Sequence, residues 1–238
     1  MIVLSMSVKE IYDCIVADAH KIQVRIDKML PKAVREFKKK RTFPVWYIDE
    51  YTIPSTNNKH IIFFYAGKES EVERPHYQSF CVVFDDNQRY LIRALSMGYK
   101  ETIDSEMVML PQIHSYTSHF LQRYNERYLH NEKLSANEIA GLFFIKNPRP
   151  FPIKLNDEIN CNFKKYGEFN NLGVRVNGGF CFARTGFQRI KTDIEAKTAD
   201  GMLMIYTTFV NDLDMSDEQR NAIDKECLDT LKRCEEQF

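Results

Sequence analysis

The chain is short of the residues that build nucleotide-binding loops. Glycine occurs only 9 times in 238 residues, and neither G-x-x-x-x-G-K nor G-x-G-x-x-G is present, which argues against the common phosphate-cradling folds. No apolar run approaches the 18 or so residues needed to cross a bilayer as a helix. The start, Met1 to Ser7, lacks both a basic segment and an apolar stretch long enough for a secretory leader. There is no charge of one sign in excess: 33 Lys+Arg balance 33 Asp+Glu, so any grip on nucleic acid has to come from a local patch. The six cysteines (Cys14, Cys81, Cys161, Cys181, Cys227 and Cys234) include no C-x-x-C pair. They read as reduced thiols, without the paired spacing of a zinc site, and a cytoplasmic setting is the expectation.

What is present is an ordinary globular composition, 44% hydrophobic and 28% charged, enough apolar residues to exclude wholesale disorder. Apolar residues from Val8 to Phe37 recur at helical spacing, with Ser7 and Glu10 forming a capping box. Pro31 interrupts the pattern, and two helices or one kinked helix are expected there. From Phe43 the period changes to that of strands: 43–49, 60–65, 78–84 and 89–95, the last two joined as a hairpin through Asp85-Asp86-Asn87. Pro44 and Pro54 push their surroundings toward edges or loops. A helix is expected after His114–Thr117, running to about Leu129, and another from the capping box Ser135/Glu138 to Pro148. Residues 151–171 read as irregular. The C-terminal third predicts a four-strand meander: 174–176, 180–182, 187–196 and 202–210, with turns at Asn177-Gly178 and Asp200-Gly201. Ser216 and Gln219 cap a last helix. The fold class is therefore α+β, an antiparallel sheet or sheets with a long or kinked N-terminal helix, central helices and a C-terminal helix. It is read as a single domain over 1–238: a helical arm (1–42), N-terminal strands (43–112), helices plus meander (113–212) and the final helix (213–238).

Two charge runs stand out. Between Arg25 and Arg41 there are eight basic and two acidic residues, and Arg25, Lys28, Lys32, Arg35 and Lys39 share one helical face. From Asp212 to Phe238 nine acidic residues face four basic ones. Two solvated faces explain this simply. The basic face could also hold an RNA backbone, and either helix could take a protein partner or a second copy of the chain.

The most chemical segment is Ser118 to His130. At about 100° per residue, His119, Arg123, Glu126, Arg127 and His130 fall within an arc of roughly 100°, while Phe120, Leu121, Tyr124 and Tyr128 point away from it. Histidine moves protons near neutral pH, and arginine presents a planar fork to phosphate oxygens. The same face is equally the ordinary polar side of a surface helix, with i, i+4 charge pairs. His114 and His119 with His130 or Glu126 could hold a divalent ion, but the spacing matches no ligand motif. Cys181 could act as a nucleophile, although a Phe-Cys-Phe strand more often buries its thiol. Tyr124 or Tyr206 could stack a base if exposed. No cofactor and no metal are called for.

The string Ser118-His119-Phe-x-x-Arg123-x-x-Glu126-Arg127 on a helix ahead of antiparallel strands resembles small nucleases of the barnase–EndoU–colicin–RelE type, over roughly residues 113–210. The resemblance implies metal-independent RNA cleavage, of the toxin type, with His119 as acid/base and Arg123 and Arg127 on phosphate. The sheet would add partners, with Arg184 and Thr208 foremost and Arg189, Tyr206 and Thr207 beside them. The alternative is a non-catalytic binding protein of the same fold.

Overall fold

The computed structural model describes residues 1–3, 5–85, 88–99, 106–160, 172–189 and 199–235. Helix α1 spans Val8–Phe37. Five strands follow: β1 (Val45–Thr52), β2 (Lys59–Ala66), β3 (His76–Asp85), β4 (Gln88–Tyr99) and β5 (Val108–Thr117). Helix α2 (Ser118–Tyr124) widens over Asn125–Leu129 into a π-turn, and α3 covers Ala136–Lys146. The second half contains β6 (Phe151–Lys154), a single turn α4 (Asp157–Asn160), β7 (Leu172–Val176), β8 (Gly179–Arg189), β9 (Ala199–Asn211) and α5 (Asp217–Glu235). The fold is α+β, as its sequence pattern implies. No helix among the described residues is long and apolar enough to cross a membrane.

Among the described residues, all nine strands join one sheet in the order β1-β2-β3-β4-β5-β9-β8-β7-β6. Two antiparallel meanders, β1–β5 and β6–β9, meet at a seam where β5 and β9 run parallel. The sheet is covered on both faces, so strand residues alternate between two cores. Ile61, Phe63, Phe80, Val82, Leu91, Tyr116, Met204 and Tyr206 pack under α2 and α3. On the other face α1 covers Ile62, Phe64, Cys81, Val83, Ile92 and Ile113. Further along that face α5 covers Phe180, Phe182 and Val210. The core under α2 is aromatic: the rings of Tyr116 and Tyr206 stack at 4.3 Å, and Phe143 meets Phe120 and Tyr124 edge-on at 5.2 and 5.0 Å. Such pairs add roughly 0.5–1.5 kcal/mol each beyond burial.

Local signals set the helix starts. Ser7 and Glu10 cap α1 reciprocally, Ser135 and Glu138 cap α3, and Ser216 and Gln219 exchange the same two bonds ahead of α5. Elsewhere the structure departs from the sequence reading. Of the two forms expected at Pro31, two separate helices do not occur: α1 runs through it as one element, because Pro31 is exposed while Ile22, Ile26, Met29, Ala33 and Phe37 anchor the helix on both sides of it. The segment ahead of α2 is a strand, β5, whose central place gives it two partners. Residues 151–154 and 157–160 are ordered as β6 and α4. The two strands expected at 180–182 and 187–196 begin as one, β8, and Asp200-Gly201 lies within β9 instead of in a turn; residues 190–198 are outside the described set. A four-strand antiparallel meander is present, with β6 as its fourth member. At Asn177-Gly178 the expected hairpin turn forms, Gly178 adopting φ +80°. A Cβ on Gly178 would lie 2.0 Å from Tyr128, so the turn also accepts the end of the α2 segment.

Candidate functional site

Thr117 fixes where α2 begins. Its Oγ1 accepts from the Phe120 amide at 3.1 Å and donates to the Tyr206 carbonyl at 3.3 Å, tying the helix N-terminus to β9. Phe120, Leu121 and Tyr124 are buried, and His119 is exposed, as the helical arc requires. The polar members of that arc are mostly committed to the protein itself. Glu126 accepts from the Gln122 amide at 2.8 Å and from Arg123 Nη1 at 2.9 Å. These bonds, Gln122 first, hold its carboxyl below the usual carboxylate range. Arg127 Nη1 donates to the Phe209 carbonyl at 2.6 Å, and the Asn211 amide reaches back to the Arg127 carbonyl. Arg127 thus clamps the π-turn to the end of β9. His130 closes that turn in the left-handed region, φ 51°, with its side chain in solvent.

The sheet residues expected to complete the site lie elsewhere. Along β8, Cys181 and Ala183 enter the core under α2, whereas Phe180 and Phe182 enter the core under α5. Arg184 follows Ala183 and so belongs to the α5 face; Thr208 pairs with Phe182 and is buried on that same face. The sheet therefore separates Arg184 and Thr208 from His119 and Arg123. The arrangement implied by the nuclease resemblance, with these five residues converging, is not formed. Thr207 Oγ1 donates to the Phe182 carbonyl at 3.1 Å, and the Arg189 side chain lies outside the described set. Tyr124 and Tyr206 are fully buried and present no stacking surface. Cys181 is buried among aromatics, where burial drives its thiol well above the ordinary value, so it is not a nucleophile. His114 is also buried, and among the described residues no three His, Cys, Asp or Glu side chains converge as metal ligands.

On the basic face of α1, Arg25 makes a bidentate pair with Asp49 at 2.7 and 2.8 Å and sits 5.1 Å over the Tyr51 ring. Lys32 lies over Tyr47, and Lys39 pairs with Glu36. Lys28 and Arg35 are exposed. Three of the five basic residues are thus in use within the chain.

A different place in the molecule is built like a binding site. Strands β3 and β4 pair from Asp85↔Gln88 only as far as Cys81↔Ile92. Beyond that point residues 76–80 of β3 pair with β2 alone, and residues 93–99 of β4 pair with β5 alone. The sheet is split, and a cavity of about 400 Å³ occupies the split. Helix α1 closes one side with Ile15, Ala19, Ile22 and Ile26; Phe80 and Ile92 add further apolar wall. Gln78, His60 and Arg93 supply polar groups, with Gln23, Tyr77 and Ser79 also on the lining.

Gln78, His60 and Arg93 each have a defined setting. Asp18, fully buried on α1, accepts from Asn58 Nδ2 at 2.6 Å and Thr56 Oγ1 at 3.1 Å, and lies 3.4 Å from His60 Nε2. Burial lowers the His60 pKa, with Asp18 opposing, so the ring is neutral at physiological pH. Arg93 Nη2 donates to Gln78 Oε1 at 3.0 Å, and its guanidinium lies 4.9 Å from the Phe144 ring centre. Arg93 Nη1 is buried with no hydrogen-bond partner, and no carboxylate among the described residues pairs with Arg93. Beside it His114 bridges Tyr206 Oη (3.0 Å) and Gln112 Oε1 (3.1 Å); burial, then the Arg93 charge, pushes its pKa down to about 3. Cys81 also lines the cavity, but burial and then Asp18 push its thiol up to about 12, so it supplies no thiolate.

Comparison with protein-family models, curated proteins and solved structures finds no match.

Among the described residues the cleft has apolar walls, neutral hydrogen-bonding groups and one cation, and its thiol, Cys81, is held protonated. The sequence reading missed Arg93, Gln78 and His60. A signal existed for Arg93, a lone charge in the strand run Tyr90-Leu-Ile-Arg-Ala-Leu95. The split itself has no sequence signature, because it depends on which neighbour each strand keeps.

Proposed function

We propose that the protein is a non-catalytic binding protein that seats a small molecule between β3 and β4. The observation that carries this reading is the parting of two adjacent strands inside a continuous sheet, with about 400 Å³ left between them. Protein interiors close voids of that size, and ligand sites of small molecules begin at about 300 Å³. Ala19 is exposed on α1 at the wall of the cleft, so Ala19→Trp should fill it without disturbing the core. Native mass spectrometry of gently purified protein should show a small-molecule adduct that is lost on denaturation and absent from Ala19→Trp. Bare protein, together with no thermal shift across a panel of amphipathic compounds, would remove the reading.

A second reading, toxin-type cleavage of RNA without a metal, is supported by the exposure of His119 one helical turn before Arg123. Lys28 and Arg35 on α1 would be its free basic contacts. Under the binding reading, cellular RNA in excess EDTA stays intact with wild type and with His119→Ala alike. Cleavage by wild type that is lost in His119→Ala would establish the nuclease instead.

A further inference from the structure

Resting on that binding reading, we propose that the cleft selects an amphipathic monoanion, a carboxylate or sulfonate head group carried on a flat or short apolar body, with Arg93 as the residue that reads its charge. Among the described residues Arg93 is the single cation lining the cavity. Its side chain is fixed on both sides, by the Gln78 bond and by the Phe144 ring, so the guanidinium is held in place before any ligand arrives. One nitrogen, Nη1, is buried with no acceptor. No carboxylate among the described residues pairs with the guanidinium, and a charge held in a protein without a counter-charge is costly, so an anion in the cavity offsets it. A guanidinium fork matches a planar carboxylate or a sulfonate in geometry as well as charge.

The rest of the lining sets the body of the ligand. Ile15, Ile22, Ile26, Phe80 and Ile92 offer dispersion and apolar burial to one side of the ligand, and Gln23, Tyr77 and Ser79 add polar lining, which together suit an amphipathic body. A polyanion is disfavoured by Asp18, which lies behind His60 at the wall of the cleft. His60 is neutral and hydrogen-bonds Asp18, so it brings no second positive charge. One charge on the ligand matches one charge on the wall.

The test uses two dyes of nearly the same shape, anionic anilinonaphthalene sulfonate and uncharged N-phenylnaphthylamine, titrated by fluorescence into the full chain. The sulfonate is expected to bind at one site per chain and at least tenfold more tightly than the uncharged dye, the low end for a hydrogen bond to a charged group. Arg93→Gln should abolish that preference by weakening the sulfonate alone, and Ala19→Trp should block both dyes. If melting shows that Arg93→Gln does not fold, Arg93→Lys takes its place and should keep the preference for the anion in reduced form. Equal affinities for the two dyes, both blocked by Ala19→Trp, would overturn the choice of an anion and leave the cleft as a site for neutral molecules. Dye binding untouched by Ala19→Trp, or none at all, would overturn the binding reading itself.

Discussion

Lowering the pH from about 7 to about 4 is expected to remove about 3 kcal/mol of stability through His114 alone. The folded ring has its pKa pushed down to about 3, by burial first and the Arg93 charge second. In the unfolded chain the same ring accepts a proton near 6.5. Protonation therefore favours unfolding throughout the interval between the two values. The stability is intact above about 6.5, falls by about 1.4 kcal/mol per pH unit below it, and is fully lost near 3. His60, also lowered by burial, acts in the same direction. Charging His114 would also reverse its bond with Tyr206, because Nδ1, which accepts the hydroxyl proton when Nε2 donates to Gln112, would then have to donate. Urea midpoints measured across this pH range should fall steeply in wild type. His114→Gln keeps a donor and an acceptor but cannot titrate, so its acid slope should be distinctly shallower. Equal slopes would mean that another group governs the acid limb.

Asp18→Ala should cost about 3–5 kcal/mol, a large part of the stability of a typical domain. The carboxylate is fully buried and accepts from Asn58, Thr56 and the neighbouring His60. Its removal leaves these donors inside the protein without acceptors, at about 1–3 kcal/mol for each that water cannot reach. The effect should spread, since Asn58 Oδ1 holds the Ile2 amide at 2.8 Å and the Asn58 carbonyl holds the Ile53 amide at 2.9 Å. Asp18 thus helps fasten the N-terminal residues and the β1–β2 turn to α1, beside the bond from Lys21 Nζ to Ser55 Oγ. A lowered urea midpoint at unchanged m-value, with faster amide exchange at Ile2, is the expected result. Thr56→Ala, which removes a single donor, should cost only about 1 kcal/mol. If Asp18→Ala were as mild as Thr56→Ala, the network would contribute little to stability.

The parts of this fold that were legible in the sequence are those decided within a few residues. The capping boxes at Ser7, Ser135 and Ser216 and the turn at Asn177-Gly178 each form as their spacing implies. Strand β5 was not legible. Its residues Pro111, Gln112, His114 and Ser115 look like a loop, and they become a central strand because β4 and the distant β9 pair with both of its edges. Pro31 left one helix or two open, and packing on both sides holds α1 together across it. At the candidate site, helical periodicity gathered His119, Arg123 and Arg127 on one arc. It could not show that Arg127 is spent on a carbonyl of β9, or that alternation along β8 and β9 sends Arg184 and Thr208 through to the far face. The cleft depends on where β3 leaves β4, a property of pairing partners and not of either strand alone.

The seam between β5 and β9 sets a timetable for the nascent chain. Gln112 waits for Met202 and Tyr116 for Tyr206, partners about ninety residues further along. At ordinary rates of translation that interval is on the order of 5–20 s. Throughout it the β1–β5 meander stands with the edge of β5 bare, a template for any other extended chain. The interval before β9 is made is therefore the period of greatest exposure to self-association, and a chain cut short before β9 would be a natural client for chaperones.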